Sequence, residues 1–284
     1  MTLSVRDDAL TDFKLYRYDP SMAAAVIFIA LFGLTTALHC FQMIRSRTWF
    51  FIPFIIGGIF EIIGYIGRAM SAQQASGEWT TGPYIMQTTL LLVAPALFAA
   101  SIYMELGRIV LLIDGNSHLL LRRTWMTKFF VAGDVLSFFM QAAGGGIMAS
   151  SKKSSAIDTG SNVIVGGLFV QLIFFGFFMV AAVLFHSRMR KVPTALSKVH
   201  AWQKHLFALY GASLLILTRS IVRTVEYLQG YDGYIISREW YLYVFDATLI
   251  FLMMVVMNVI HPGEIARSLK GAITPAYEMA RSQV

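Results

Sequence analysis

The sequence has little charge and almost no cysteine. Only 14% of its 284 residues are charged, whereas soluble domains carry about 25%. This low charge excludes a soluble domain, and it excludes a disordered chain, which requires low hydrophobicity and high net charge. Cys40 is the one cysteine, so the chain cannot form an internal disulfide, and any extracellular part is not a disulfide-stapled module.

Motifs of several enzyme classes are also missing. The chain has no GxxxxGK[ST], no HExxH and no GxSxG, which excludes a P-loop ATPase, a helical zinc site of that type and a nucleophile elbow. We therefore predict a protein that is not an enzyme, without catalytic or metal-binding residues. The six histidines are interpreted as residues at the membrane interface. They are His39, His118, His186, His200, His205 and His261. As a minor alternative, three histidines and Asp134 bind zinc in a lipid hydrolase.

Apolar residues dominate the chain, at 57% of the composition. Because a helix that crosses the bilayer needs roughly 20 apolar residues, the sequence predicts an all-α, multi-pass bundle of seven transmembrane helices. The predicted spans are 22–44, 50–70, 83–112, 129–149, 162–185, 204–226 and 240–261. Residues 1–21 form a short N-terminal segment and residues 262–284 a tail, and neither is long enough for a second domain. All five tryptophans lie at or near predicted span ends, where indole rings are favoured.

Lysine and arginine in the loops predict the orientation. Twelve lie on the side of the C-terminus and six on the side of the N-terminus, so the positive-inside rule places the N-terminus outside and the C-terminus in the cytoplasm. The net charge of +7 is interpreted as a determinant of topology, and we predict no nucleic-acid partner.

Charged and polar side chains recur inside the spans at helical spacing. Each set lies on one helix face, and this face must point into the bundle because lipid cannot satisfy polar groups. The candidate substrate-binding residues are Glu61, Tyr65, Arg68, Gln141, Gln171, Arg219, Arg223, Glu226, Glu239, Tyr243 and Asp246. They hold three arginines and four carboxylates, which permits mutual pairing.

Two interpretations of these residues stay open. In the first they are structural ion pairs and hydrogen bonds that fix helix packing, and this is favoured for Glu105 and Arg108. In the second they line a polar chamber in the outer half of the bundle that receives the head group of an amphiphile. The glycine run 144–146 is interpreted as a point of close helix packing, or alternatively as a hinge.

The order of the motifs resembles a known family. The motifs are Glu61-Ile-Ile-Gly-Tyr-Ile-Gly-Arg68, Ala94-Pro95 with Tyr103-Met-Glu-Leu-Gly-Arg108, Asp134-Val-Leu-Ser with Gln141, Gly167-Leu-Phe-Val-Gln171, Arg219-Ser-Ile-Val-Arg-Thr-Val-Glu226, Glu239 with Tyr243 and Asp246, and His261-Pro-Gly263. The set is similar to the fungal lipid-translocating exporter family, also described as aminocholesterol-resistance-like, over about residues 16–263. Span six departs from the pattern, because it reads Arg-Ser-Ile-Val-Arg where an aromatic is expected before the second arginine.

The resemblance implies a function. Members of that family have seven spans and are linked to export of sphingoid long-chain bases, to resistance to toxic amphiphiles and, in one branch, to porphyrin uptake. We therefore expect a plasma-membrane protein that binds and moves a lipid-like amphiphile, with membrane lipids as partners and no cofactor. The alternatives are a seven-helix receptor or sensor for an amphiphile, and a transporter that binds porphyrin or haem as its ligand. The sequence carries no signal for an oligomeric state.

Overall fold

A computed structural model describes residues 16–150, 154–230 and 233–269. The predicted N-terminal segment before residue 16, Lys152 and Lys153 of one loop, and the tail after residue 269 lie outside these ranges. Within them, seven helices are long and apolar enough to cross a membrane, which confirms the predicted architecture. We call the end of the bundle that holds Tyr16 the N-terminal side and the end that holds Leu269 the C-terminal side. The orientation of the two sides stays a prediction.

Six of the seven spans are continuous α-helices. They are α1 (Met22–Ser46), α2 (Ile52–Ala72), α3 (Thr81–Leu112), α4 (Arg123–Ser150), α5 (Ser154–Lys191) and α6 (Trp202–Leu228). The seventh, α7, begins with one turn at Glu239–Leu242, passes through a π-helical turn at Tyr243–Ala247 and continues over Thr248–Val259. A short helix over residues 263–269 follows it.

Helix α5 is longer than the predicted span. Its 38 residues correspond to about 57 Å at 1.5 Å per residue, against ~30 Å of hydrocarbon. The prediction counted apolar residues only, whereas the helix continues through the polar residues Asp158 and Ser161 at one end and Arg188 at the other. The backbone hydrogen bonds of a helix do not depend on side-chain polarity, so polar sequence does not end it.

Glycines set the distance between neighbouring helices. A Cβ atom at Gly64 of α2 would lie 2.6 Å from Leu91 Cδ2 of α3, and one at Gly67 would lie 2.9 Å from the Pro83 carbonyl oxygen. A Cβ at Gly144 of α4 would lie 2.5 Å from the Gly160 carbonyl oxygen of α5. Small residues let helix backbones approach closely inside a bilayer. These contacts hold α2 against α3 and α4 against α5, the two most extensive helix pairs.

Large apolar side chains cover the outside of the bundle. Leu34 of α1, Phe139 of α4 and Ile173 of α5 are each more than 60% exposed. A soluble protein rarely exposes so large an apolar surface, so this surface is the lipid-facing one. Most charged residues inside the spans lie on buried or partly buried faces, and those of α2, α6 and α7 build the site described next.

The glycine run of α4 offers a matched pair of substitutions. Gly144 packs against backbone of α5, whereas the space within 4 Å of a Cβ at Gly145 is empty. We expect Gly144→Ala to lower the free energy of unfolding by about 1–3 kcal/mol, because a buried clash with backbone cannot relax cheaply. Gly145→Ala should be neutral or stabilise the helix by up to about 1 kcal/mol. The difference is measured by thermal unfolding of the two purified proteins in detergent, monitored by size-exclusion chromatography. Equal melting temperatures would contradict close packing at Gly144.

Candidate functional site

Arg68, near the end of α2, is enclosed by tyrosines and one carboxylate. Its side chain is fully buried, and Nη2 donates to Glu239 Oε1 at 2.6 Å and to the Tyr18 hydroxyl at 3.1 Å. Its Nε donates to the Tyr243 hydroxyl at 2.9 Å. The rings of Tyr16, Tyr18 and Tyr243 lie 5.8, 5.5 and 5.2 Å from the guanidinium carbon, within range of cation–π attraction.

The segment just before α1 closes this pocket on the N-terminal side. The backbone N–H of Ser21 donates to Glu239 Oε1 at 2.7 Å, and the Tyr16 hydroxyl lies 2.9 Å from Gln87 Oε1 and 3.1 Å from Ser71 Oγ. Burial raises the pKa of the Tyr16 hydroxyl, so this hydroxyl is neutral near pH 7 and can donate. Arg68 is therefore covered by protein on the side where the predicted chamber would open.

A second group of charges lies deeper, where α2, α6 and α7 meet. Arg219 Nε donates to Asp246 Oδ1, and Arg219 Nη2 donates to the Leu91 carbonyl oxygen at 2.8 Å. Glu61 is 1% exposed and interacts electrostatically with both Asp246 and Arg219. Among the described residues, Glu61 Oε1 has no hydrogen-bond partner. Asp246 thus holds the direct bond to Arg219, and Glu61 lies in the field of both groups without an ion pair of its own among the described residues.

Tyr65 connects the two groups. It is fully buried on the same face of α2 as Glu61 and Arg68 and interacts electrostatically with both of them and with Asp246. Its ring lies stacked 5.6 Å from Phe32 and 6.1 Å from Tyr243. The predicted spacing of residues 61, 65 and 68 therefore produces one polar line along α2.

The remaining pair, Arg223 and Glu226, lies on α6 at the edge of this line. Arg223 Nη1 donates to both carboxylate oxygens of Glu226, at 2.9 and 3.2 Å. A cavity of about 40 Å³ separates the pair from Asp246, Tyr18 and Arg238, which is room for roughly one water molecule. The charged residues of α2, α6 and α7 lie close together, as the sequence predicts. Direct ion pairs occupy most of the space between them, and the cavity that remains among the described residues is too small for a ligand.

Gln141 and Gln171 belong to a different contact. Gln141 Nε2 donates to Ser137 Oγ at 2.6 Å and to Gln171 Oε1 at 3.4 Å, and Ser137 Oγ donates to the Gly167 carbonyl oxygen at 2.7 Å. These bonds join α4 to α5, and in the described ranges none reaches the charged residues of α2, α6 and α7. The two glutamines were predicted as site residues because helical spacing gives the buried face of a helix but not its partner.

The predicted ion pair between Glu105 and Arg108 is wrong. Arg108 is exposed, and its guanidinium carbon lies over the Phe50 ring at 5.2 Å. Glu105 is fully buried and points toward His205, with Oε1 3.9 Å from Nδ1. The two side chains separate because a long arginine at a helix end extends to the interface, while the shorter glutamate stays inside.

Metal-binding geometry is not found in the parts of the chain that the structure describes, where no three His, Cys, Asp or Glu side chains form a group that could hold an ion. His39 is buried, and its Nε2 lies 3.0 Å from the Met254 carbonyl oxygen. His205 is buried as well, but its Nε2 lies 3.2 Å from Oε2 of the exposed Glu264, so the interfacial interpretation is wrong for His39 and stays a prediction for His205.

Sequence reasoning missed two parts of the site. Tyr16 and Tyr18 precede the first span, and the only signal for them was the aromatic-rich sequence Tyr16-Arg-Tyr18. The π-helical turn at Tyr243–Ala247 carries Asp246, and no residue type marks such a turn in a sequence. π-Turns inside helices are frequent at functional sites.

Comparison with known proteins identifies the family. The family described as RTA1 like protein matches residues 54–268. "Protoporphyrin uptake protein 1" of Saccharomyces cerevisiae is 41% identical over 285 residues, which cover 87% of this chain and 91% of that protein. "Protein RTA1" of the same yeast is 39% identical over 276 residues, or 88% of this chain and 85% of that protein.

A more distant relative is also matched over most of its length. "Sphingoid long-chain base transporter RSB1" of Saccharomyces cerevisiae is 26% identical over 294 residues, which cover 91% of this chain and 76% of that protein. No solved structure matches the chain. These matches confirm the resemblance that the ordered motifs indicated, and the chain belongs to the RTA1-like family.

Proposed function

We propose that this protein transports a lipid-like amphiphile and that a positively charged head group binds beside Glu61. One observation carries the proposal. Each of the three arginines of the site, two buried and one partly buried, has its own carboxylate: Arg68 has Glu239, Arg219 has Asp246 and Arg223 has Glu226.

Glu61 is the carboxylate left over. Ionising a buried carboxyl group that has no direct ion pair costs several kcal/mol, so a ligand that supplies a cation would stabilise the charged form of Glu61. A sphingoid base supplies one, because it combines an amine with hydroxyl groups and a single long alkyl chain. The amine would pair with Glu61, and the hydroxyl groups would find Tyr65 and Asp246 close by. A relative named as a sphingoid long-chain base transporter supports the same class of substrate.

Binding requires the bundle to open. The cavity at the site is about 40 Å³, far below the 300–1,000 Å³ typical of ligand pockets. The segment over Arg68 closes the N-terminal side, so a closed form of the transporter matches this arrangement. Because the chain has no P-loop motif, movement of the lipid would be facilitated or driven by a gradient. We place this transporter in the plasma membrane, with the N-terminus outside, and assign it no enzymatic activity.

Porphyrin uptake is the second candidate, favoured by the 41% identity to a protoporphyrin uptake protein. A porphyrin carries carboxylates instead of an amine, and its partners would be arginines. Arg68, Arg219 and Arg223 are each already paired with a carboxylate, so a porphyrin that bound one of them would have to displace that carboxylate, whereas a cation finds Glu61 free of an arginine of its own.

Replacement of Glu61 tests the role of its charge. In liposomes that contain only this protein, we expect Glu61→Gln to weaken binding of a labelled sphingoid base by roughly tenfold to a hundredfold, the value of a charge-assisted contact of about 1.5–3 kcal/mol. The N-acetylated base has no cation, and its binding should be the same in both proteins. Glu78→Gln, in an exposed loop, is the control variant. Equal losses for both ligands would contradict pairing with the amine.

The same liposomes separate transport from binding and one ligand class from the other. The wild-type protein should move the labelled base from one leaflet to the other, and binding without movement would favour the receptor alternative. Excess protoporphyrin should leave binding of the base within about threefold. The porphyrin candidate would instead be supported if protoporphyrin competed strongly with the base, if Arg68→Gln abolished this competition, and if Glu61→Gln did not change it.

A further inference from the structure

On the C-terminal side, a second buried carboxylate lies far from the site described above. Glu105 of α3 is fully buried, and neither of its oxygens accepts a hydrogen bond from the residues that the structure describes. An unpaired, desolvated carboxylate is costly, and a leucine or glutamine would pack there at lower cost. Ionisable residues kept inside membrane spans commonly belong to ion or proton paths.

His205 of α6 links Glu105 to the surface. Its Nδ1 lies 3.9 Å from Glu105 Oε1, and its Nε2 lies 3.2 Å from Oε2 of Glu264. Glu264 is 46% exposed and accepts from Lys204 Nζ at 2.7 Å. The imidazole thus has one nitrogen toward an exposed carboxylate and the other toward a buried one. The 3.9 Å separation is longer than a hydrogen bond, so proton transfer requires the two side chains to move closer, as catalytic hydrogen bonds that are long in a resting structure do.

The charges of the other groups around the His205 imidazole nearly cancel, so the net charge of its surroundings is close to zero. Lys204 and Glu264 compensate each other. His261 and Arg267, from the segment after α7, interact electrostatically with each other, and His261 also with His205 and Glu264. Arg108, one turn from Glu105, points away to Phe50. The site can therefore hold one proton in two ways: on Glu105 beside a neutral imidazole, or on His205 as an imidazolium beside the Glu105 carboxylate.

We propose that Glu264, His205 and Glu105 form a proton-transfer path from the C-terminal surface to a buried carboxyl group. The Glu264 carboxylate takes up a proton from water at the surface and passes it from Oε2 to His205 Nε2, which restores the carboxylate and its pairing with Lys204. The imidazole then releases the proton on Nδ1 to Glu105 Oε1, which leaves a neutral imidazole and a neutral carboxylic acid, and the reverse sequence returns the proton to the surface. With the predicted orientation, the path opens to the cytoplasm.

Infrared spectroscopy of the purified full-length protein tests the path without any transport assay. A protonated carboxyl group has a carbonyl stretch that shifts when its proton exchanges for deuterium. We expect Glu105→Gln to remove one such band from the wild-type spectrum near neutral pH. After transfer to D2O, the shift of this band should be about a hundredfold slower in His205→Gln, which cannot relay a proton, in line with the usual contribution of general acid–base groups.

Two further variants keep the result interpretable. His118→Gln removes a histidine of the same side outside the path and should leave the exchange rate unchanged. Glu264→Gln changes a half-exposed residue and should slow exchange even if His205→Gln does not fold. The proposal is overturned if no carboxyl band disappears in Glu105→Gln at any pH, or if the band exchanges equally fast in wild type and in the folded His205 and Glu264 variants. Lipid transport can fail in this protein without affecting these spectra, so the two proposals are tested separately.

Discussion

The architecture depends on pairing every buried guanidinium with a carboxylate from a neighbouring helix or helix turn. In hydrocarbon a lone charge has no solvent to compensate it, so a paired charge also fixes which helices touch. Arg219 shows this most directly, because it donates to Asp246 on α7 and to a carbonyl oxygen of α3. One side chain thereby joins three helices. Close glycine contacts then set how near the helices come, but they carry no information about which polar faces meet.

Composition and helical spacing were enough to predict seven spans and the buried faces of most of them. Roughly 20 apolar residues per crossing located the helices, because length and hydropathy are local properties of the chain. Spacing placed Glu61, Tyr65 and Arg68 on one face of α2 for the same reason, and the structure has all three buried there. The ends of α4 and α5 were less predictable, since a helix continues into polar sequence outside the bilayer.

Partners between helices could not be predicted, since they depend on tertiary packing. Helical spacing predicted both Gln141 and Glu61 as residues of one site. In the structure, Gln141 bonds to Gln171 across the α4–α5 contact, whereas Glu61 interacts with Arg219. Glu105 and Arg108 looked like an ion pair because they are three residues apart, but one faces the interior and the other the interface. The π-helical turn that places Asp246 has no sequence signature, and Tyr18 acts from outside the predicted spans.

A single oxygen atom, Glu239 Oε1, accepts from the guanidinium of Arg68 at 2.6 Å and from the backbone N–H of Ser21 at 2.7 Å. The end of α2, the start of α1 and the start of α7 are therefore tied together at one point. A displacement of Glu239 by an ångström or so away from both α1 and α2 lengthens both bonds, because the same oxygen accepts them. The positions of these three helix ends are therefore coupled through one carboxylate oxygen.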